Sequence, residues 1–213
     1  MAIRVGLVDS GVSETQLHLV ISQKDLVGSD VIVDRLGHGA AIVERFLSSG
    51  TEFELCVARV FADQLVCTVD QCAEAINWLI VQKPTFINLS FGLRRDSAVL
   101  RAACAAAVAS GVGLVAASPA QGEAVYPAAY PGVVRATGDA RCASIEVAWL
   151  ESQQADVAGY VGDPATGHAG ASIGCASVSA RLLRMIEDNP GLEFGDWVRQ
   201  LEAEAEYHGA ERK

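Results

Sequence analysis

Residues 3–11 read Ile3-Arg4-Val5-Gly6-Leu7-Val8-Asp9-Ser10-Gly11. The run over 3–8 is β-branched and aliphatic, which predicts a strand, and Asp-Ser-Gly ends it in a polar turn. Outward from this strand the chain keeps alternating apolar runs with helical patterns. Strands are predicted over residues 31–33, 54–60, 86–90, 113–117, 133–137, 144–149 and 156–160. Helices are predicted over 38–49, 69–82, 97–110, 172–188 and 194–208, with apolar residues at helical spacing and Gly111 as a C′ residue. Pro84 stops the second helix, and Asn189-Pro190-Gly191 separates the last two. Short strands interleaved with helices predict an α/β fold with a mostly parallel sheet. No repeat or linker divides residues 1–213, so one domain is expected, with residues 209–213 a frayed tail.

Composition limits what such a domain does. The chain has 213 residues, of which 51% are hydrophobic, 20% charged and 6% aromatic. That balance excludes a disordered tail, a coiled coil and a collagen-like chain. With 26 acidic against 16 basic residues the net charge is −10, and only three lysines occur. Nucleic acid is therefore not expected as a partner, because phosphate contacts need clustered Lys and Arg. No run of about 18 apolar residues predicts a membrane span. The start, Met1-Ala2-Ile3-Arg4, carries no pattern of a secretory signal, so a cytoplasmic protein is expected. The six cysteines (Cys56, Cys67, Cys72, Cys104, Cys142 and Cys175) contain no CxxC pair and are expected to be reduced, buried side chains.

In open α/β sheets, sites form at the carboxyl ends of strands and at the helix N-termini beside them. Three such junctions carry reactive residues. Asp9 ends the first strand, His38 opens the first helix in Gly37-His38-Gly39, and Ser172 opens a late helix in Gly170-Ala171-Ser172-Ile173-Gly174. Each alone reads as a turn former, a helix cap or an N-cap. Together they match nucleophilic catalysis, in which His takes the proton of Ser and Asp holds the His tautomer.

With these contexts the chain resembles the subtilisin-like serine peptidases. Residues 5–12 (VGLVDSGV) are similar to that family's Asp motif, residues 37–43 (GHGAAIV) to its His motif, and residues 170–176 (GASIGCA) to its Ser motif. Residues 87–92 (INLSFG) match its substrate-edge segment, and residues 126–134 (YPAAYPGVV) its Tyr-Pro-rich stretch. The resemblance implies a three-layer α/β/α fold and a catalytic set of Asp9, His38 and Ser172. It implies substrate pairing along Ser90, Phe91 and Gly92.

Four departures from the pattern stand out, one of them Ala176 at the usual Pro position of the Ser motif. Ala41 stands where the family has a second His, and Ala171 replaces the Thr before the nucleophile. Ala120 falls at the position of the oxyanion-hole Asn, which leaves Gln121 as the candidate replacement donor and Ser118 as a weaker one. His168 is read as a loop residue that could line the site's rim, Cys175 as a packed cysteine, and Asp34-Arg35 as a surface pair. No acidic run resembles a calcium loop, so neither metal nor cofactor is expected.

The implied function is intracellular cleavage of peptide bonds, with processing of a precursor or leader peptide as one role. The alternative is an inactive or weak pseudopeptidase that binds a peptide or a partner subunit. A peptide or protein substrate is the expected partner, and a protein partner or homo-oligomer is left open by the apolar face of the last helix. A Rossmann-type nucleotide binder is disfavoured, because no GxGxxG follows the first strand.

Overall fold

The opening run forms β1 (Ile3–Asp9), and it lies inside a nine-stranded sheet. The computed structural model describes residues 2–28, 32–163 and 167–210. After β1 come β2 (Val20–Asp25), α1 (His38–Leu47), β3 (Phe53–Arg59), α2 (Val69–Gln82), β4 (Phe86–Leu89), α3 (Ala98–Ala109) and β5 (Gly113–Ala117). They are followed by β6 (Val133–Asp139), β7 (Val147–Trp149), β8 (Val157–Tyr160), β9 (Gly162–Asp163), β10 (His168–Ala169), α4 (Ala171–Asp188), α5 (Phe194–Ala203) and β11 (Tyr207–His208). The sheet runs β11-β7-β8-β6-β5-β4-β1-β3-β2. Its pairings are parallel except that of β7 with β8. β9 and β10 form a separate hairpin ahead of α4.

Alternation along the strands builds the three layers. Val5 and Leu7 pack with Ile42, Val43 and Phe46 of α1 and with Val178 and Leu182 of α4. Val8 packs on the opposite face with Ile76 and Leu79 of α2 and Leu100 of α3. Helices thus cover both faces, which is why the central strands read as continuous apolar runs. The apolar side of α5 serves the core, since Trp197 and Leu201 are buried in the α1–α4 layer.

Several boundaries differ from the sequence expectation. β2 was not expected, because Val20-Ile21-Ser22-Gln23-Lys24-Asp25 is half polar. It is an edge strand that needs only one covered side. The helix expected over 194–208 ends at Ala203. Arg181 pairs with both Glu204 and Glu206, and Glu206 receives the Val147 amide at 2.8 Å, so the chain turns onto the sheet edge as β11. The strand expected over 144–149 shortens to Val147–Trp149, because Ser144 adopts a positive φ in a turn. Gly209 is not frayed: its N–H bonds the Trp149 carbonyl and its own carbonyl receives Arg141. Of the short strand expected over 31–33, Val31 lies outside the described residues, and Val33 makes an isolated parallel bridge to Val12. Residues 211–213 of the expected tail also lie outside them.

One glycine sets how closely α4 approaches the sheet. A Cβ on Gly174 would stand 2.1 Å from the Thr137 carbonyl oxygen and 2.4 Å from the Gly138 nitrogen, both backbone atoms of β6. Neither can swing aside as a side chain would. Gly174→Ala is expected to destabilise the protein by about 3 kcal/mol, the upper range of overpacking costs. For a chain of this size that lowers the melting temperature by roughly 6–12 °C. An unchanged melting curve would show that α4 and β6 can separate freely.

Candidate active site

Strand parity delivers the polar residues to one layer. On β1 the positions 5, 7 and 9 face α1 and α4. On β4 and its continuation the same face is held by Phe86, Asn88 and Ser90. Because Val8 lies opposite Leu89 in the register, Asp9 and Ser90 are the next residues outward at the carboxyl edge. The N-termini of α1 and α4 arrive at this same edge.

The turn after β1 shapes the first half of the site. Gly11 has φ +119°, and a Cβ there would lie 2.0 Å from the Ile32 carbonyl oxygen. The close approach allows Val12 N–H to bond Ile32 O at 3.0 Å and Asp34 N–H to bond Val12 O at 2.8 Å. Asp34 is thereby placed at the start of α1. Its Oδ1 accepts the amides of Leu36 (2.8 Å) and Gly37 (2.9 Å), and its Oδ2 that of Ala40 (2.8 Å). The expected surface pair is therefore wrong for Asp34, which is an acidic cap on a helix N-terminus.

Asp9 is fully buried. Its Oδ1 accepts Ser10 N–H at 2.8 Å, Ser10 Oγ–H at 3.1 Å, and lies 2.7 Å from His38 Nδ1. Ser10 Oγ in turn accepts the Gly39 amide at 2.9 Å. Gly39 has no room for a side chain, since a Cβ would meet the Gly11 carbonyl oxygen at 2.2 Å and Asp9 Oδ1 at 3.2 Å. Only glycine after His38 lets α1 come this close. Asp9 Oδ2 is buried without a partner among the described residues. Beneath the turn, buried Arg59 donates to the Ser10 carbonyl at 3.1 Å and pairs with Asp25.

The His38 side chain is 15% exposed. Burial pushes its pKa down, but the hydrogen bond to Asp9 and the charges of Asp9 and Asp34 outweigh that, so the net shift is upward from 6.5.

Ser172 stands second in α4, after Gly170 with φ +104°. An α-helix leaves its first N–H groups without intrahelical partners, so the amides around Ser172 point outward with the positive end of the dipole. The Ser172 hydroxyl donates to the Ser90 carbonyl at 2.8 Å, and Ser90 Oγ donates back to the Ser172 carbonyl at 3.2 Å. No hydrogen bond joins Ser172 to His38. Asn88 anchors the pair: its Nδ2 donates to Ser90 Oγ (2.8 Å), and its Oδ1 accepts Ser179 Oγ–H (3.0 Å) and Cys175 Sγ–H (3.4 Å). Cys175 is fully buried, and burial pushes its thiol up to about 12, which makes it a packing residue.

Sequence reasoning did not single out Ser10, Asn88 or Gln16. Gln16 spans the turn by accepting Ser13 N–H at 3.0 Å and donating to the Ala40 carbonyl at 3.0 Å. A capping-box spacing, Ser13 to Gln16, was the signal for it.

Residues 90–92 continue beyond β4 outside any ladder, with Phe91 edge-on to Phe61 at 6.1 Å between ring centres. Leu93 then exchanges two backbone bonds with Tyr126. Gln121 and Ala120 lie exposed in the loop after β5, and no hydrogen bond ties Gln121 to Ser172 or to another described residue. The Ser118 hydroxyl is committed to the Gln154 carbonyl at 2.6 Å. The side chain of His168 lies outside the described residues. Between the starts of α1 and α4 lies a cavity of about 470 Å³, bounded by Gln16, Ala40, Ala41, Arg45, Tyr160 and Ile173. Ala41 contributes to this space, because it presents only a methyl group there. Among the described residues no group of three His, Cys, Asp or Glu gathers as metal ligands, and no helix is long and apolar enough to cross a membrane.

Solved structures share this architecture. The protein titled S41 psychrophilic protease superposes with a TM-score of 0.71 at 17% identity, covering 97% of this chain and 85% of that one. A cold adapted subtilisin-like serine proteinase gives 0.69 at 19% identity, over 94% and 80% of the two chains. Sphericase gives 0.65 at 16% identity, over 95% and 83%. The fold is subtilisin-like. No protein-family model matches the sequence, and no curated protein matches it. At such identities the likeness is one of fold, and the chemistry rests on this chain's own residues.

Proposed function

We propose that the chain is a serine endopeptidase that works through Asp9, His38 and Ser172. The observation that carries this reading is the 2.7 Å contact of buried Asp9 with His38 Nδ1 at the strand edge where Ser172 opens α4, within a subtilisin-like fold. The contact leaves His38 Nε2 as the nitrogen for chemistry. Turning Ser172 χ1 to another staggered well releases its hydroxyl from Ser90. Triad hydrogen bonds are often unformed before substrate binds.

His38 then takes the Ser172 proton as Oγ attacks the scissile carbonyl, and Asp9 stabilises the imidazolium. His38 returns the proton to the leaving amine, and a water repeats the sequence on the acyl-enzyme. The Ser172 N–H at the α4 terminus supplies one oxyanion donor, and Gln121 the second once the loop after β5 closes on substrate. An extended peptide adds as a strand along Ser90, Phe91 and Gly92. Processing of a precursor or leader peptide inside the cell is the role we assign. The acidic surface suits a basic substrate.

The exposed Gln121 and the Ser172–Ser90 bond favour a second reading, a pseudopeptidase that binds peptides without cutting them. Incubation with unstructured casein separates the two. The peptidase reading expects new amino termini, absent with His38→Ala. Intact casein retained by folded protein would replace it with the binding reading.

The pH profile follows from His38. The base must be neutral, and its pKa is raised, so kcat/KM is expected to fall as pH drops through a midpoint above 6.5. A midpoint below 6.5 would contradict the Asp9 and Asp34 electrostatics.

A further inference from the structure

Cys67 and Cys72 flank the first turn of α2. Thr68 is its N-cap, so the two cysteines occupy the positions just before the cap and four residues after it. Apolar side chains at these positions normally pack together as a staple. Here the pair is two thiols, with Sγ atoms 3.1 Å apart and neither in a disulfide. The capping box holds them in place: Thr68 Oγ1 accepts Gln71 N–H at 3.2 Å, and Gln71 Oε1 accepts Thr68 N–H at 2.9 Å.

The setting connects this pair to the cleft. Residues 60–67 lead from the end of β3 to α2, beginning with Val60 N–H bonded to the Asp9 carbonyl at 2.9 Å. Phe61 then meets Phe91 edge-on, so this segment stands beside the 90–92 edge. Its middle is exposed, with Leu65 at 54% and Val66 at 71% accessibility. Cys67 is half-buried and Cys72 buried, so Cys67 is the more accessible of the two to a reagent.

We propose that Cys67 and Cys72 form a redox-responsive pair, converted by a low-molecular-weight disulfide into an intramolecular bond that stiffens residues 62–67 beside the cleft. Cys67 thiolate attacks one sulfur of the reagent, forming a mixed disulfide and expelling the first thiol. Cys72 then gives its proton to water and attacks Cys67 Sγ, which forms the internal bond and expels the second thiol. Two protein thiols are oxidised and one reagent disulfide is reduced.

The order of attack has a physical basis. The hydrogen bond from Cys72 pulls the Cys67 pKa down against burial and the nearby Asp9 charge, while the same bond and burial push Cys72 up. Burial raises Cys56 to about 11 and Cys104 and Cys142 to about 12, so these thiols do not compete. Any effect on a bound peptide rests on the peptidase reading. The disulfide and the stiffening do not.

The test exposes the whole chain to glutathione disulfide at neutral pH and maps the products by mass spectrometry and amide hydrogen exchange. The expected product has lost two hydrogens within residues 60–83, and neither Cys67 nor Cys72 alkylates. Exchange over residues 62–67 slows by about 10-fold. Cys72→Ala is expected to stop at a glutathione adduct on Cys67, and Cys67→Ser to remain unmodified. A stable glutathione adduct on the unaltered chain, or no reaction at Cys67, would overturn the pair. A disulfide that leaves exchange over 62–67 unchanged would overturn the stiffening.

Discussion

Ser172→Ala is expected to lower peptide hydrolysis by about 10⁶-fold, because members of a triad act as a unit and losing the nucleophile removes their joint effect. The fold should barely register the change. The hydroxyl is lost from a half-exposed helix terminus together with one bond to the Ser90 carbonyl, worth about 1 kcal/mol. Peptide affinity should persist, since the 90–92 edge is untouched. Assays of hydrolysis, peptide binding and thermal melting on the same variant check the three parts. Hydrolysis within 10-fold of the unaltered protein would show that another group is the nucleophile; Cys175, behind Ser172 and bonded to Asn88, is poorly placed for that.

Asp9→Asn is expected to cost about 10⁴-fold in kcat, the scale set when a triad carboxylate becomes a neutral amide. Asp9 Oδ1 accepts from Ser10 N–H, Ser10 Oγ–H and His38 at once, so a substituting amide must keep its oxygen there. Its NH₂ then falls at the Oδ2 position, buried and without a partner, at a cost of about 1–3 kcal/mol. Turned the other way, the NH₂ faces donors and forces the wrong His38 tautomer. The charge that raises His38 also disappears, so the acid limb of the remaining activity should move to lower pH. Kinetics across pH with a thermal melt read all three effects. A full-rate variant with an unmoved limb would remove Asp9 from the proposed chemistry.

The sequence made the layers legible because a doubly covered parallel sheet writes itself as short apolar runs between helices. It also placed Asp9, His38 and Ser172 at strand ends and helix starts, the places where α/β sheets carry chemistry. What it hid depends on long-range contacts. β2 is half polar because it is an edge, and α5 ends early because Arg181 draws Glu204 and Glu206 towards the sheet. Asp34 looked like a surface charge because the turn that lifts it onto α1 depends on Gly11 closing against Ile32. The meeting of Cys67 and Cys72 was within reach of a sequence rule, since they hold the two staple positions around Thr68. Cysteine is not among the aliphatic side chains that usually make such a staple, so the spacing is masked.

The proposed chemistry stands on Ser172 as a nucleophile activated by His38. Reaction of the purified protein with a fluorophosphonate, followed by peptide mass spectrometry, tests it most directly. An adduct on Ser172 is expected in the unaltered chain and none in His38→Ala of equal stability. A folded protein that stays unlabelled at Ser172, or labels equally without His38, would contradict it.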